Sequence, residues 1–400
     1  MALPKIPISL FNYNLPDEKI AKYPLANRDE SKLLIYNHGT ISESIFNNIA
    51  NLIPTDSILY FNNTKVIQAR LQFKKSTGAL IEIFCLEPTE NRDYQQVFAE
   101  TEKTSWKCIV GNSKKWKDGE LEMNIEIDKQ LIILKASRKA LKTDTSIIEF
   151  TWNNNSYSFG EIIETIGKTP IPPYLNRPSE QIDTHRYQTV YSQHKGSVAA
   201  PTAGLHFTPE ILQALNQKNI QTRYITLHVG AGTFKPVKSE TIDQHEMHDE
   251  LFSISVDEIK YLSELDSKLI AVGTTTVRTL ESLYWLGVKI SLGQSPNKLN
   301  QTEAYELPQK IMLKEALVEI INYLTKNNVT QLVAQTSIMI APGYQFKIVK
   351  GLVTNFHQPQ STLLLLISAL IGDKWKDVYD YALNNQFRFL SYGDSSLLLP

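Results

Sequence analysis

Cysteine is scarce in this 400-residue chain, because Cys85 and Cys108 are the only two and they show no CxxC spacing. This excludes a disulfide framework and favours a reducing compartment. Long hydrophobic runs are also missing: the most apolar stretch, residues 363–371, is far shorter than the roughly 20 residues of a membrane-spanning helix. An excess of charge of one sign is missing too, since 41 basic and 42 acidic residues leave a net charge of -1. Any nucleic-acid site is therefore expected to be a local patch.

The composition is that of a folded protein, with 42% hydrophobic and 10% aromatic residues. The length predicts two domains, or one large domain that carries an insertion. Prolines at positions 4 and 7 fall where a signal peptide needs a continuous apolar core. No internal repeat is visible. We expect a cytoplasmic protein with no membrane partner.

The predicted secondary structure changes in character twice along the sequence, and these two changes predict the domain organisation. Residues 1–70 and 160–400 mix helix and strand signals, whereas residues 71–159 contain short β-type runs separated by Gly, Asn, Asp and Lys clusters. The expected fold class is α/β: a mixed α/β main domain with an inserted small all-β barrel domain. Residues 285–335 add a polar loop, 291–309, and an amphipathic helix, 311–324.

Several helix ends are legible in the sequence. Ser158 and Glu161 predict a capping box for a helix that ends at Gly167. Thr208, followed by proline, predicts the start of another helix. Further on, a buried strand over 269–272 and a helix over 275–286, stopped by Gly287, form a strand-turn-helix unit. Strands are also expected over 337–340 and 346–349, and a buried helix over 363–371.

Two glycine-containing segments have both a functional and a structural interpretation. The small residues of 196–204 allow a ligand to approach the backbone and lead to the Thr208 helix, whose start suits an anion, but a tight packing loop explains them equally well. The segment 227–234 runs into a Gly-x-Gly turn, which a simple bulge or turn also explains. His228 within it is more typical of a core histidine than of a catalytic one.

Three further clusters combine groups that suit chemistry. His245 and His248 with Glu250 suggest a metal site, but the HExxH pattern is absent, so base, acid or hydrogen-bonding roles are favoured. Residues 273–278 place three threonines and Arg278 at a helix start, although Arg278 and Glu281 also fit an ordinary surface pair. Residues 354–357 and 387–394 mix aromatic and polar side chains, as stacking sites and ordinary domain seams both do.

Taken together, these segments resemble the S-adenosylmethionine:tRNA ribosyltransferase-isomerase family of queuosine biosynthesis. The resemblance runs nearly end to end, and so many blocks in one order are very specific. The matching positions are 23–25, 28–29, 31–34, 61–66, 69–70, 170–174, 187–191, 196–208, 226–230, 232–234, 245, 247, 248, 250, 272–282, 342–344, 354–357, 361–364, 388–389 and 391–394.

The resemblance implies an α/β domain with an inserted β-barrel and an unusual use of S-adenosylmethionine. The ribosyl portion is transferred to the aminomethyl group of 7-aminomethyl-7-deazaguanine at the tRNA wobble position and rearranged to an epoxycyclopentanediol, while adenine and methionine leave. It implies no metal and no cofactor beyond S-adenosylmethionine as co-substrate. The expected partners are S-adenosylmethionine and this tRNA, and the expected state is a monomer.

Such a reaction needs a base, an acid for departing adenine and an anchor for the methionine carboxylate. We hypothesise that Arg278 with Thr274 and Thr275 forms the anchor, and that histidines transfer protons. The catalytic candidates are His228, His245, His248 and Glu250. The substrate-binding candidates are Arg28, Ser31, Asn62, Thr64, His206, Gly230, Gly232, Thr233, Thr274, Thr275, Arg278, Glu281, Asn355, His357, Tyr392 and Asp394.

Some positions depart from the family pattern, namely Asn63, Gln68, Lys235, Gln358 and the longer stretch between residues 282 and 342. They leave open a paralogue with an altered nucleoside or tRNA partner. Two other classes of protein also stay open, a metal-dependent hydrolase and a non-catalytic tRNA-binding module. Candidate tRNA contacts are the basic groups 74–75, 114–117 and 138–139 of the β region.

Overall fold

A computed structural model of the chain describes residues 3–89, 94–142, 144–230, 232, 237 and 239–400. Its strands are β1 (Lys32–Asn37), β2 (Thr40–Ile45), β3 (Ser57–Asn62), β4 (Thr64–Val66), β5 (Arg70–Lys74), β6 (Leu80–Pro88), β7 (Lys103–Gly111), β8 (Leu121–Ile127), β9 (Gln130–Leu141), β10 (Ser146–Trp152), β11 (His194–Ser197), β12 (Gln221–Leu227), β13 (Glu250–Ser255), β14 (Lys268–Val272), β15 (Lys298–Leu299), β16 (Gln331–Thr336), β17 (Gly351–Asn355) and β18 (Ser395–Leu399). Its helices are α1 (Ile49–Leu52), α2 (Tyr94–Phe98), α3 (Phe159–Ile166), α4 (Gln181–Arg186), α5 (Pro209–Gln217), α6 (Val256–Ser263), α7 (Thr274–Ser291), α8 (Glu303–Glu306), α9 (Leu313–Lys326), α10 (Thr362–Ile371) and α11 (Trp375–Asn384).

A ten-stranded mixed sheet organises most of the chain, in the order β15-β16-β13-β12-β3-β14-β17-β18-β1-β2. Strands β12, β3, β14 and β17 run parallel at its centre. Strand β3 (Ser57–Asn62) is buried at every position, as expected for a strand covered on both faces. The carboxyl ends of these parallel strands share one edge of the sheet, which is where open α/β sheets bind ligands.

A second, six-stranded antiparallel sheet has the order β5-β6-β7-β10-β9-β8. Its edge strands β5 and β8 approach each other, so the sheet nearly closes into a barrel. Inward-facing residues such as Phe73, Trp106 and Phe150 alternate with more exposed ones and fill a separate core. The predicted fold class, a mixed α/β protein with an inserted small β-barrel, is confirmed.

Helix α3 follows the last barrel strand and has the ends that the sequence predicts. The Ser158 hydroxyl accepts from the Glu161 backbone N–H, and the Glu161 carboxylate accepts from the Ser158 N–H at 2.7 Å, which confirms the capping box. The buried face of the helix, Phe159, Ile162 and Ile163, packs into the barrel core. Because α3 packs there, we infer that the inserted unit continues beyond residue 159 to about Gly167.

Three local predictions were wrong. Helix α7 passes through Gly287 and ends at Ser291. Neither 337–340 nor 346–349 forms a strand, since the neighbouring β16 and β17 take the sheet positions. Part of the expected surface loop 291–309 is structured, because β15 pairs with β16 and Tyr305 of α8 is buried.

Gly287 lies where α7 crosses α9, and this crossing explains why a glycine continues the helix there. A Cβ atom built on Gly287 would lie 2.1 Å from the Ala316 carbonyl oxygen. Ala316, Leu317 and Ile320 of α9 belong to the main core. The 311–324 segment is therefore an integral part of the domain core.

We expect Gly287→Ala to lower the free energy of unfolding by about 1–3 kcal/mol, because the added methyl group forces the two helices apart. In a helix with nothing packed on the glycine, the same change would stabilise the protein by about 1 kcal/mol. The sign of the change in unfolding free energy therefore shows whether α9 packs on Gly287. Urea unfolding measures it. The matched variant is Gly160→Ala in α3, where a Cβ would lie 3.2 Å from the Phe98 carbonyl oxygen and the penalty is expected to be smaller. A Gly287→Ala protein as stable as the parent would contradict the close crossing.

Within the described part of the chain, no helix has both the length and the apolar character needed to cross a bilayer.

Candidate active site

A cleft lies at the carboxyl ends of the central parallel strands. Strand β14 ends at Val272, and Gly273 turns the chain into α7 with a φ of +91°, a conformation that favours glycine. Strand β17 ends beside it at Asn355. The start of α10, with Ser361 as its capping residue, covers the same edge. This topology brings segments distant in sequence to one place.

We call the first part of the cleft the threonine cavity. It is lined by residues 200–203, 273–275, 354–358 and 361–363 and by Tyr174, Tyr187, Val229, Leu390 and Ser391. Within the described part of the chain, the Thr275 hydroxyl and the Asn355 side-chain oxygen are buried and have no hydrogen-bond partner. The Asn355 amide nitrogen donates to the Leu390 carbonyl oxygen at 3.1 Å, which leaves its oxygen as an acceptor. Buried polar groups rarely lack partners, so these two atoms suit the polar edge of a ligand.

The second part, the histidine cavity, shares Thr362 and Leu363 with the first. It is lined by residues 244–248 and 338–340 and by Asp144, Gly232, Ser239, Glu250, Arg278, Thr362, Leu363 and Leu366. The first turn of α10 therefore lies between two adjoining cavities. One ligand that passes Thr362 and Leu363 would contact both cavities.

A buried ion pair forms one wall of the histidine cavity. The Arg278 Nη1 atom donates to the Glu250 carboxylate, and the two side chains are 8% and 4% exposed. Glu250 also accepts from the Gly230 backbone N–H at 3.2 Å, and Arg278 Nε donates to the Ile338 carbonyl oxygen at 3.3 Å. The remaining nitrogen, Arg278 Nη2, is buried and has no hydrogen-bond partner among the residues that the structure describes. The cavity thus contains a positioned cation with donor capacity for an anion.

The histidines near the cleft have lowered pKa values, mainly through burial. Burial and the nearby charge of His248 lower the pKa of His245 in the histidine cavity. Burial lowers the pKa of His357, in the threonine cavity, to about 3. His206 has a pKa of about 4 for the same main reason. These imidazoles are neutral near pH 7, and a neutral imidazole can accept a proton.

A third pocket adjoins the threonine cavity, because Ser391 lines both. We call it the arginine pocket. It is lined by Pro24, Leu25, Arg28, Ser31, Arg186, Leu205, His206, Arg388, Ser391, Tyr392 and Gly393. The His206 ring connects it to the cleft, since Nδ1 lies 2.8 Å from the Ser31 hydroxyl and Nε2 lies 3.2 Å from the Asn355 amide nitrogen.

Other sequence candidates hold the protein together away from these pockets. The Asn62 side chain bonds to both backbone groups of Leu227 and so joins β3 to β12. The Thr64 hydroxyl lies 3.0 Å from His228 Nδ1, and the His228 ring packs on Tyr94. His228 is half-buried and lines none of the three pockets, and its catalytic role stays a prediction. Asp394 accepts from the backbone N–H groups of residues 32 and 388. Thr233 lies outside the described residues.

Glu281 does not line the cleft, contrary to the expectation that it binds substrate. Its buried carboxylate accepts from the Tyr344 hydroxyl and from the backbone N–H groups of 347, 348 and 349, at 2.8–3.0 Å. Burial raises its pKa, and these donors oppose that rise. The same bonds explain why 346–349 forms no strand, because its N–H groups are already used. Glu281 also makes no pair with Arg278.

We expect Glu281→Gln to lower the free energy of unfolding by about 3 kcal/mol, because the new amide group faces backbone donors that it cannot satisfy. Urea unfolding measures the loss, and Glu306→Gln, at an exposed position of α8, is the matched control. A Glu281→Gln protein of unchanged stability that binds S-adenosylmethionine less tightly would restore the substrate-binding role.

The glycines of the 196–204 run are explained by packing. A Cβ on Gly196 would lie 2.4 Å from His228 Nδ1, and one on Gly204 would lie 1.9 Å from the Tyr191 hydroxyl oxygen. The residues between them, 200–203, line the threonine cavity. The Thr208 helix start lines none of the three pockets, and the Thr208 hydroxyl caps it by accepting from the Ile211 N–H at 3.3 Å.

Two of the basic groups of the barrel, 74–75 and 138–139, contact the loop that carries the third group, 114–117. The Lys75 ammonium donates to the Lys115 carbonyl oxygen at 3.0 Å, and the Arg138 guanidinium lies over the Trp116 ring. Lys139 instead pairs with Glu149 at 2.7 Å. Among the residues that the structure describes, no cluster of three or more His, Cys, Asp or Glu side chains is arranged to hold a metal ion.

Comparison with known proteins relates this arrangement to a family. The profile of the queuosine biosynthesis protein family matches residues 8–398. The S-adenosylmethionine:tRNA ribosyltransferase-isomerase of Halothermothrix orenii is 38% identical over 399 residues, covering 97% of this chain and 98% of that protein. The chain belongs to the queuosine biosynthesis protein family.

Two further relatives have closely similar names. The S-adenosylmethionine:tRNA ribosyltransferase-isomerase of Trichlorobacter lovleyi is 35% identical over 396 residues, 97% of this chain and 98% of that protein. The crystal structure of S-adenosylmethionine tRNA ribosyltransferase from Thermotoga maritima is 28% identical, with 97% of this chain and 99% of that chain covered and a TM-score of 0.46.

Several pocket residues of this queuosine biosynthesis protein were not singled out from the sequence. Arg186 ends α4 outside every recognised block, and Asp144 lies in the turn between β9 and β10. Tyr174, Tyr187 and Ser391 fell inside recognised blocks but had no assigned role. Their position within segments that match the family was the only sequence signal for these three residues. None existed for Arg186 or Asp144, whose positions depend on the fold.

Proposed function

We propose that the chain is an S-adenosylmethionine:tRNA ribosyltransferase-isomerase. It transfers the ribosyl portion of S-adenosylmethionine to 7-aminomethyl-7-deazaguanine at the tRNA wobble position and forms epoxyqueuosine-tRNA. Adenine and methionine are released. Relatives with this name match 97% of the chain at 35–38% identity, and this end-to-end similarity carries the proposal. The adjoining cavities of the cleft support it, because they offer polar groups for a base and a cation for a carboxylate.

In this scheme the methionine carboxylate binds in the histidine cavity. Arg278 Nη2 is a buried donor with no partner among the described residues, and Glu250 holds the guanidinium in place from the other side. An arginine held by a carboxylate loses little conformational entropy when it binds a second anion. Glu250 is thus a positioning residue.

Proton transfer is assigned to His245 and His248, which line the same cavity. The base removes a proton from the sugar carbon next to the sulfonium, so it must lie near the bound methionyl portion. His228 is left out, because it is packed against Tyr94 and lines none of the three pockets. Thr275 and Asn355, with their unpartnered oxygens, bind the edge of a nucleobase in the threonine cavity.

The enzyme uses S-adenosylmethionine as co-substrate with no further cofactor, and it acts as a monomer in the cytoplasm. Sedimentation of the purified protein tests the oligomeric state, and retention of activity after exhaustive chelation tests the independence from metal. Chelator-sensitive activity with stoichiometric bound metal would instead favour a hydrolase.

The decisive experiment incubates the protein with S-adenosylmethionine and tRNA that carries 7-aminomethyl-7-deazaguanine. Release of adenine and appearance of the epoxide-bearing nucleoside, measured by liquid chromatography and mass spectrometry, are the expected result. Absence of both products, from a folded protein beside an active control enzyme, would overturn the proposal. Binding of the tRNA without adenine release would indicate a non-catalytic tRNA-binding protein.

A further inference from the structure

The arginine pocket gathers three guanidinium groups from three separate segments. Arg28 lies in the 3-10 turn Arg28–Glu30, Arg186 is the last residue of α4, and Arg388 precedes β18. All three line one pocket with the Ser31 and Tyr392 side chains. Each arginine is partly exposed, so solvent and a large ligand can reach the pocket.

These positive charges are poorly neutralised by the protein. Arg28 donates to the Gln188 carbonyl oxygen at 3.0 Å, and Arg186 donates to the carbonyl oxygens of Leu25 and Ala26 at 2.6 and 3.0 Å. Neither forms a salt bridge with a described residue. Neutral carbonyl groups orient the two guanidinium groups but leave their charge available.

The third cation, Arg388, donates from Nη1 to the Tyr23 carbonyl oxygen at 3.5 Å and has a distant carboxylate. Its Nη2 atom lies 3.7 Å from Asp394, whose carboxylate already accepts from the backbone N–H groups of 32 and 388. Arg28 and Arg186 line the same pocket, and burial and the charge of Arg186 lower the pKa of Arg28, although the nearby Asp29 carboxylate opposes this. Like charges held together cost free energy, and a bound anion removes that cost.

We propose that the arginine pocket binds a phosphodiester group of the tRNA backbone beside the nucleotide whose base enters the cleft. This inference rests on the proposed function for the identity of the polyanion. Guanidinium groups bind phosphate oxygens in a bidentate fashion, and several of them around one pocket suit a phosphodiester. Ser391 lines both this pocket and the threonine cavity, so a phosphate bound here lies next to the cleft in which the wobble nucleotide reacts.

Burial distinguishes this pocket from the proposed carboxylate anchor. Arg278 is 7% exposed and lines the histidine cavity, which suits a small ligand that reaches a buried donor. The arginines of the pocket stay partly exposed, as contacts to a polymer that continues into solvent require. The pocket also reconciles a net charge of -1 with a nucleic-acid partner, because its positive charge is local.

The test compares Arg186→Gln and Arg388→Gln with Arg223→Gln as the matched control. Arg223 lies in the amino-terminal half of β12, away from the cleft, and pairs with Glu258 at 3.2 Å. Arg186→Lys is included because Arg186 also orients residues 25 and 26, and Arg388→Gln gives an independent readout if Arg186→Gln misfolds. The probes are tRNA carrying 7-aminomethyl-7-deazaguanine, at several salt concentrations, and S-adenosylmethionine alone.

We expect each pocket variant to bind this tRNA about tenfold more weakly at low salt, and the slope of log affinity against log salt to fall in magnitude by about one. The dissociation constant of S-adenosylmethionine stays unchanged, and the control variant keeps the parent values. A stem-loop RNA with a neutral methylphosphonate next to the wobble nucleotide should bind the parent weakly and lose little more in Arg186→Gln.

Other results would overturn the assignment. Weaker S-adenosylmethionine binding with unchanged tRNA binding would make the pocket a carboxylate site. Unchanged affinity for both ligands in the folded variants would mean that the pocket binds no substrate oxyanion. Failure of the parent protein to bind tRNA at all would instead refute the proposed function, and so the two failures are distinguishable.

Discussion

Substitution of Arg278 by glutamine is expected to weaken S-adenosylmethionine binding by about 100-fold, because it removes the buried cation of the histidine cavity. The parent guanidinium has one nitrogen bound to Glu250 and one buried nitrogen that no described residue contacts by a hydrogen bond. A carboxylate that replaces water there gains a charge-assisted hydrogen bond in a poorly solvated site. Calorimetric titration of the tRNA-free protein with S-adenosylmethionine measures the loss.

The same substitution also destabilises the fold, because it leaves the Glu250 carboxylate buried and unpaired, at a cost of about 3–5 kcal/mol. The double variant Arg278→Gln with Glu250→Gln separates the two effects. It removes both charges, so it should recover most of the stability while S-adenosylmethionine binding stays weak. Parent-like S-adenosylmethionine affinity in this double variant would move the carboxylate anchor elsewhere.

Replacement of His245 by glutamine should lower kcat roughly 100-fold or more, the usual effect of removing a general base. His245 lines the histidine cavity beside the proposed carboxylate anchor. Turnover is measured as adenine release under saturating substrates. His228→Gln is the informative comparison, since His228 is a half-buried histidine that lines none of the three pockets and should affect stability more than the pH profile.

The fall of kcat/KM at acidic pH, the acid limb of the profile, provides a second test of His245, and it also tests His248. The neutral imidazole is the active base, so activity is present above the pKa of His245 and is lost as the pH falls through it. Burial and the charge of His248 lower that pKa, which places the limb below 6.5. In His248→Gln the charge of the neighbour is gone, so the limb should move upward. Unaltered turnover and an unaltered limb would remove His248 from the candidate bases.

Local signals in the sequence predicted those elements whose ends depend on neighbouring residues. The Ser158 capping box and the Thr208 cap are made by side chains within one turn of the atoms that they bind. The barrel was predicted from alternation and turn residues, which are equally local. The long sequence blocks also sufficed to predict the family.

Errors arose where a distant residue decides the local structure. Gly287 looks like a helix stop, but the chain packs Ala316 against it, so the glycine serves a close helix crossing. Residues 346–349 have the composition of a strand, but Glu281 binds their backbone N–H groups. Glu281 itself lies in the segment 272–282, which matches the family. Such a match does not show whether a residue contacts the ligand or fixes a loop by hydrogen bonds.

The sequence by itself predicted the fold class and the family, because capping, alternation and motif order are readable along one chain, and the site roles that it suggested stay predictions. Only the tertiary structure decided which candidates meet. It paired Glu250 with Arg278, separated His228 from His245, and gathered Arg28, Arg186 and Arg388 in one pocket. Such groupings depend on how parallel strand ends and their loops converge in space, and no spacing along the chain encodes that convergence.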